Sequence, residues 1–313
     1  MTPSSSYTPA PAADFVLPFD LAPLGVRGRL VRLSGVSAEA LTAHKLPEPA
    51  ARVAAETLTL SALLGSALKL DGRLTVQTKS DGALDLIVSD YYGAEANESG
   101  VTRPAGVRGY ARADDARVAA LARSHGFVDL AGAGSLGITI EPRLNFEGIG
   151  GQSYQGIVEL SPEGIAASAQ TYFEQSEQLP TAIRLAAAPV FEPGKPVMWR
   201  AGGIMLQRTA EAAKADDDWE RLKMFIATVE DFELIDTALK AEDLLWRLFH
   251  EDEVRVLPFE PIAFRCDCSV ARIEGVLKGY APEDRRKLAD PDGVIRARCE
   301  FCGKTHEIAG TVA

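Results

Sequence analysis

The amino-acid sequence predicts an α+β protein: a mixed α/β core domain, then a helical acidic linker, then a small C-terminal domain organised by cysteines. Three observations predict it. Segments alternating apolar and polar residues are interleaved with stretches of helical apolar spacing between Val26 and Gln207. Glu211 to Glu260 then holds fifteen acidic and six basic residues on a helical pattern. All four cysteines follow, between Cys266 and Cys302. These shifts divide the chain into a disordered tail over 1–22, a core domain over 23–208, a linker over 209–260 and a cysteine domain over 261–313. A length of 313 residues is long for one core and fits more than one domain.

Composition narrows the function classes. Hydrophobic residues make up 46% and charged residues 25%, ordinary values for a water-soluble chain. A net charge of −11 argues against a general nucleic-acid binder, which needs clustered Lys and Arg. Met1 to Asp20 is rich in Pro, Ser and Ala and has neither a basic n-region nor an apolar h-region, so it reads as a tail and not a signal peptide. The richest apolar run, Leu58 to Leu70, is short and carries Lys69, so no membrane span is expected. A cytoplasmic location follows, where thiols stay reduced in the absence of stress.

Taken in order, Val26-Arg27-Gly28-Arg29-Leu30-Val31-Arg32-Leu33 reads as a strand with its arginines on a solvated face. Pro47 to Leu70 has helical spacing, with Val53, Leu60, Leu63, Leu64 and Leu68 on one face. Asp71-Gly72 and Asp81-Gly82 are turn signals around Leu74–Thr78 and Leu84–Val88, a hairpin beside that helix. Gly106–Arg112, Ser153–Leu160 and Thr181–Leu185 read as further strands, Gly164–Gln175 as a helix, and Gly202–Gln207 closes the core domain. Gly132-Ala133-Gly134-Ser135-Leu136-Gly137 spells the dinucleotide fingerprint. The fingerprint needs a helix at its third glycine, whereas Ile138-Thr139-Ile140 continues as a strand, so a turn is the reading here. Glu174 and Glu177 read as solvated helix carboxylates.

In the linker, Trp219, Leu222, Phe225 and Ile226, then Leu234, Ala238 and Leu239, then Leu244, Leu245, Leu248 and Phe249 fall at helical spacing. So apolar a stripe has to be covered, and packing on the core domain would cover it. Self-repulsion among its carboxylates opposes that packing. Val254-Arg255-Val256 alternates, and Pro258 and Pro261 mark a boundary. Beyond it, Ser269 to Leu288 reads as helices, and Val294–Arg298 as a strand leading into Cys299.

The cysteines are spaced C-x-C, thirty residues, C-x-x-C. Cys266, Cys268, Cys299 and Cys302 make a closed tetrahedral thiolate site the first reading, with zinc the favoured ion and an iron–sulfur cluster the lesser alternative. Four protein ligands leave no position for a hydrolytic water. The same sulfurs also suit a redox switch. Residues i and i+2 of an extended segment lie about 6–7 Å apart, at the upper end of the disulfide range, so Cys266 with Cys268 and Cys299 with Cys302 could pair locally. A domain of about fifty residues buries too little apolar surface to fold well alone, so metal binding would supply much of its folding free energy. His44, His125, His250 and His306 sit in no catalytic motif; His306, four residues past Cys302, is a conceivable substitute ligand.

These residues resemble a known family, the bacterial redox-regulated heat-shock chaperone or 33-kDa chaperonin. The resemblance spans nearly all of the chain past Leu24. It is carried by Val26–Val31, Leu68–Gly72 with Leu74–Gln77, Tyr154–Val158, Tyr172-Phe173 with Ser176–Thr181, Ala201-Gly202-Gly203, Leu245–Glu251, and the C-x-C-S and C-x-x-C-G pair. His306 stands where the family has an aromatic residue. The resemblance implies a non-enzymatic holdase that uses no ATP. Reduced, it would be inactive, largely monomeric and zinc-bound through Cys266, Cys268, Cys299 and Cys302. Hypochlorous acid, or peroxide with unfolding stress, would form the Cys266–Cys268 and Cys299–Cys302 disulfides and release zinc. The cysteine domain would unfold and the linker lose its packing. A homodimer binding unfolded client proteins would result, and reduction would pass clients to ATP-driven foldases.

Two other classes compete. A thiol–disulfide oxidoreductase would use Cys299 and Cys302, but that chemistry places C-x-x-C at a helix N-terminus, whereas Gly303-Lys304 suggests a knuckle-like turn. A static zinc ribbon would bind a partner; from Ala271 onward basic and acidic residues nearly balance, so no basic patch supports nucleic acid.

Overall fold

The computed structural model describes residues 14–68, 70–96, 102–122, 126–143, 152–194, 197–209 and 216–310. Two compact units emerge, 1–264 and 265–313.

The first unit opens with β1 (Phe15–Leu21) and β2 (Val26–Leu33), then α1 (Gly35–Thr42) and α2 (Glu48–Ala67). There follow β3 (Gly72–Ser80), β4 (Leu84–Tyr92), the short β5 (Glu95–Ala96) and β6 (Thr102–Arg103), and β7 (Ala105–Ala113). After α3 (Asp115–Ala119) and α4 (Phe127–Ala131) come β8 (Gly134–Pro142), β9 (Tyr154–Glu159), α5 (Ile165–Tyr172), β10 (Thr181–Val190) and β11 (Met198–Arg208). The acidic segment forms α6 (Asp216–Ala227), α7 (Asp231–Ile235) and α8 (Ala241–Phe249), followed by β12 (Arg255–Val256) and β13 (Glu260–Phe264).

An eleven-stranded sheet runs β10-β11-β2-β1-β13-β7-β4-β3-β8-β9, with β12 paired to β1. Its one parallel ladder among the described residues is β13 with β7. The twenty-residue α2 packs against β2, β3, β4, β7, β10 and β11. Strands from both halves of the sheet therefore meet one helix, and the sheet wraps around it.

Alternation along the strands builds two cores. Val16, Val31, Leu33, Met205 and Ala187 face α2. Their neighbours Leu17, Leu30, Ile204, Leu206 and Ala186 face the other way, against Trp219, Leu222, Leu234, Leu245 and Phe249 of the acidic helices. The apolar stripe seen in the sequence is thus covered by the sheet's second face. Gly202 makes this possible for α7: a Cβ there would lie 2.3 Å from the Leu234 carbonyl oxygen.

Three expectations are corrected. Residues 1–13 lie outside the described residues, but Phe15–Leu21, assigned to the tail, is a buried strand near the sheet's centre. Proline-rich surroundings and Pro18 masked its pattern. Pro18 has no N–H to give a ladder, but its carbonyl still accepts from Leu257 N at 2.9 Å. Pro261–Phe264, taken as the start of the last domain, belongs with Glu260 to a strand of the first unit between β1 and β7. Arg29 and Arg32 are 8% and 5% exposed, not solvated, because β2 is covered on both faces; only Arg27 is exposed. A smaller difference is Leu68, which caps α2 and is half-exposed.

The second unit contains α9 (Val270–Leu277), α10 (Pro282–Leu288) and an antiparallel hairpin of β14 (Val294–Arg298) and β15 (Thr305–Ala309). Among the described residues its buried apolar core is Leu277, Ile295 and Ile308. Three such side chains are few for a unit of this size.

Candidate metal centre

Cys266 and Cys268 sit in the extended segment before α9. Ser269 ends that segment as the helix N-cap, accepting from Arg272 N at 3.3 Å. The Arg272 guanidinium reaches back to the Asp267 carbonyl at 3.2 Å, and Arg265 pairs with the Asp267 carboxylate at 3.2 Å, so this short run is held on both sides. Cys299 to Cys302 form the turn joining β14 to β15. Gly303 N donates to Cys299 O at 2.8 Å and Cys299 N to Lys304 O at 2.9 Å, and Gly303 adopts φ +70°.

The four sulfurs predicted as ligands come together, all within 4.8 Å of one another. Cys266 Sγ lies 3.7 Å from Cys299 Sγ, and Cys268 Sγ 3.5 Å from Cys302 Sγ. A tetrahedron with zinc–sulfur bonds of about 2.3 Å has edges of about 3.8 Å. The set therefore fits a tetrahedral zinc centre. All four thiols are free and half-buried. Burial pushes the Cys266 and Cys268 thiols up, and the neighbouring sulfurs of Cys299 and Cys302 add to the rise. Burial also opposes ionisation of Cys299, but the Cys302 and Phe301 amides bring it below the ordinary thiol range. Sulfurs this close are held together as thiolates only by a cation among them.

His306, in β15, is 5% exposed and places Nε2 3.2 Å from Cys268 Sγ. The other candidates fall elsewhere. His250 tilts over Trp246, and its Nδ1 lies 3.2 Å from the Trp246 carbonyl. His125 lies outside the described residues. Glu177 accepts from Tyr172 Oη at 2.9 Å and forms no acid pair with Glu174 among the described contacts. The glycine-rich Gly132–Gly137 runs into β8 with no helix at its third glycine.

Sequence reasoning missed the polar contacts that hold the acidic helices. Arg32 donates to the main-chain carbonyls of Leu234 at 3.1 Å and Glu233 at 2.9 Å, and also to that of Leu239. Arg184 donates to the Val229 carbonyl at 3.1 Å and pairs with Asp231 at 2.8 Å; Arg208 pairs with Asp216 at 3.0 Å. An arginine set among apolar strand residues was the available signal.

Fold and site together define a class: a sheet-and-helix body followed by a small unit built on a four-thiol, zinc-compatible centre. Residues 14–309 match the Hsp33 protein family. A 33 kDa chaperonin of Caulobacter vibrioides is 38% identical over 303 residues, 94% of each chain. One of Escherichia coli is 34% identical over 278 residues, 89% of this chain and 86% of that one. The crystal structure of the Thermotoga maritima 33 kDa chaperonin (heat shock protein 33 homolog) shares the fold, with a TM-score of 0.75, 20% identity and 96% coverage of both chains. The chain belongs to the Hsp33 family, and the family and the names of its relatives support a chaperone. Among the described residues no helix is long and apolar enough to cross a membrane.

Proposed function

We propose that this protein is a cytoplasmic, redox-regulated, ATP-independent holdase without catalytic activity, which binds unfolding proteins under oxidative stress. The observation that carries the reading is a four-sulfur cluster in a unit whose buried apolar core, among the described residues, is three side chains. Such a unit depends on its centre for folding.

In the reduced state Cys266, Cys268, Cys299 and Cys302 would hold zinc, which supplies the cation that keeps four thiolates in place. Peroxide then takes two electrons from each sulfur pair. One thiolate attacks the O–O bond, giving a sulfenic acid and hydroxide. The second thiolate displaces hydroxide from that sulfur, and both hydroxides take up protons to become water. Two peroxides convert the set to the Cys266–Cys268 and Cys299–Cys302 disulfides, leaving no thiolate for the ion.

The first unit supplies the client surface. Phe264 ends β13 and only Arg265 separates it from Cys266, so unfolding from Cys266 onward would begin one residue past that strand. The acidic helices precede β13. Their release would bare Leu17, Leu30, Ile204 and Leu206 on the sheet, along with their own apolar stripe. Exposed apolar area of this kind binds unfolded chains and favours a homodimer.

The turn geometry of Cys299 and Cys302 disfavours the oxidoreductase reading, which needs a helix N-terminus. Aggregation of an unfolding test protein, followed before and after peroxide with mild heat alongside zinc release, tests the proposal. Protection is expected only after oxidation, in step with metal loss. Equal protection by the reduced, zinc-loaded protein overturns it.

A further inference from the structure

His306 is a buried imidazole in contact with one of the four sulfurs, Cys268, at 3.2 Å. Resting on the zinc-thiolate reading above, we propose that His306 is a positioning residue of the centre: its Nε2–H donates a hydrogen bond to Cys268 Sγ and raises the oxidant dose at which the centre opens.

The tautomer follows from the chemistry of the pair. A thiolate bound to a cation has no proton to give, so Cys268 can only accept, and Nε2 must carry the hydrogen. The donor is fixed from its own side. His306 lies in β15, in register with Ala297 of β14, and its neighbour Ile308 belongs to the small core. His306 and Ile308 alternate onto the buried face of the hairpin, which leaves the imidazole little room to turn away.

A hydrogen bond from a donor outside the ligand set withdraws charge from a ligand sulfur and fixes its direction. A sulfur so held is a weaker nucleophile. The step affected is attack of the Cys268 thiolate on a peroxide: an S–O bond forms, the O–O bond breaks, and hydroxide leaves with the electron pair. The same restraint acts if Cys268 is the second thiolate, displacing hydroxide from a sulfenic sulfur to form S–S. Among the described residues, Cys268 is the sulfur that a histidine touches. The centre is thus asymmetric, with one thiolate guarded by a histidine.

The test compares wild type, His306→Phe and His306→Gln, each reduced and loaded with zinc, in peroxide with mild heat. Zinc release is read with a chromogenic chelator. His306→Phe removes the donor and should release zinc about tenfold faster. His306→Gln places an amide N–H near the same point and should stay within about twofold of wild type. Equal rates for wild type and His306→Phe, or a glutamine variant as fast as phenylalanine, overturn the proposal. If His306→Phe fails to hold zinc, the wild type decides by itself after exchange with cadmium-113. A scalar coupling from cadmium through Cys268 Sγ to the His306 Nε2 proton is expected, with a cadmium shift of the four-sulfur type. Absence of that coupling, or a shift typical of three sulfurs and one nitrogen, overturns it. Wild type that keeps its zinc under oxidant would instead sink the redox reading, while the cadmium coupling still decides the hydrogen bond.

Discussion

Arg32 in β2 donates from Nη2 to the main-chain carbonyl of Glu233 in α7 at 2.9 Å, joining residues 201 positions apart in the chain. With its bonds to Leu234 and Leu239, this buried guanidinium satisfies carbonyls at and beyond the C-terminal end of α7. Glu233 is itself tied down. Its carboxylate accepts from the Glu230 amide at 2.8 Å and from Arg247 Nη2 at 3.0 Å. Arg247 holds that carboxyl below the usual range. The acidic segment is thus docked by a polar latch as well as by its apolar stripe.

Replacing Arg32 tests the latch. Arg32→Ala leaves buried carbonyls without a donor, and a loss of about 2–4 kcal/mol in docking of the acidic helices is expected. Hydrogen exchange of α7 in the reduced, zinc-loaded protein should accelerate, and clients should be protected at lower oxidant doses. Unchanged exchange in α7 would show that the stripe alone holds the segment.

Gly202 offers an independent route to the same end. A Cβ at this position meets the Leu234 backbone oxygen at 2.3 Å, and neither main chain can yield without displacing α7 or β11. Gly202→Ala should cost about 1–3 kcal/mol. The thermal midpoint of the first unit should fall, and proteolysis should begin in the acidic helices. Wild-type resistance to proteolysis would mean that α7 shifts to accommodate the methyl group.

These contacts show where sequence reading reached and where it stopped. Local signals were legible: α2 from its apolar spacing, the β3–β4 hairpin from Asp81-Gly82, and the sulfur centre from the cysteine spacing. Features set by distant partners were not. Arg32 reads as a solvated strand charge until α7 covers it. Phe15–Leu21 and Glu260–Phe264 carry Pro18 and Pro261, which argue against strands until pairing with β2 and β7 places them. His306 meets Cys268 only because the turn at Cys299–Cys302 folds β15 back.

Acidity should also tune the first unit. Burial raises the Glu56 carboxyl to about 7; Arg52 and Arg184 pull it down, while Asp231 of α7 pushes it further up. A carboxyl raised by folding stabilises the native state below its unfolded value of 4.5, and that contribution is lost as pH climbs through about 7. Glu56→Gln should therefore raise the thermal midpoint at pH about 8 and leave it unchanged near pH 4.5. An equal gain at both values would point to packing and not to ionisation.

Metal removal should separate the two units. A structural zinc site contributes on the order of 10 kcal/mol to folding of its own domain. Chelation, or Cys268→Ser with Cys302→Ser, should erase the amide signals of β14 and β15. Resonances from α2 and β3, in the larger core, should persist. Persistence of the hairpin signals without metal would show that Leu277, Ile295 and Ile308 suffice.

The pattern of disulfides reports the order of events. In the closed site the hydrogen-bond-range sulfur contacts run across the two cysteine pairs, Cys266 to Cys299 at 3.7 Å and Cys268 to Cys302 at 3.5 Å. Oxidation within the folded unit would therefore favour these cross-links. Once the unit has unfolded, closing a loop of about thirty residues costs roughly 2 kcal/mol more than closing one of a few residues. The local pairs Cys266–Cys268 and Cys299–Cys302 then win. Peptide mapping of fully oxidised protein should find the local pairs, because loss of the ion removes the unit's fold before the second bond forms. Cross-linked pairs as the main product would mean that the sulfurs oxidise in place, and that unfolding of this unit does not accompany the switch.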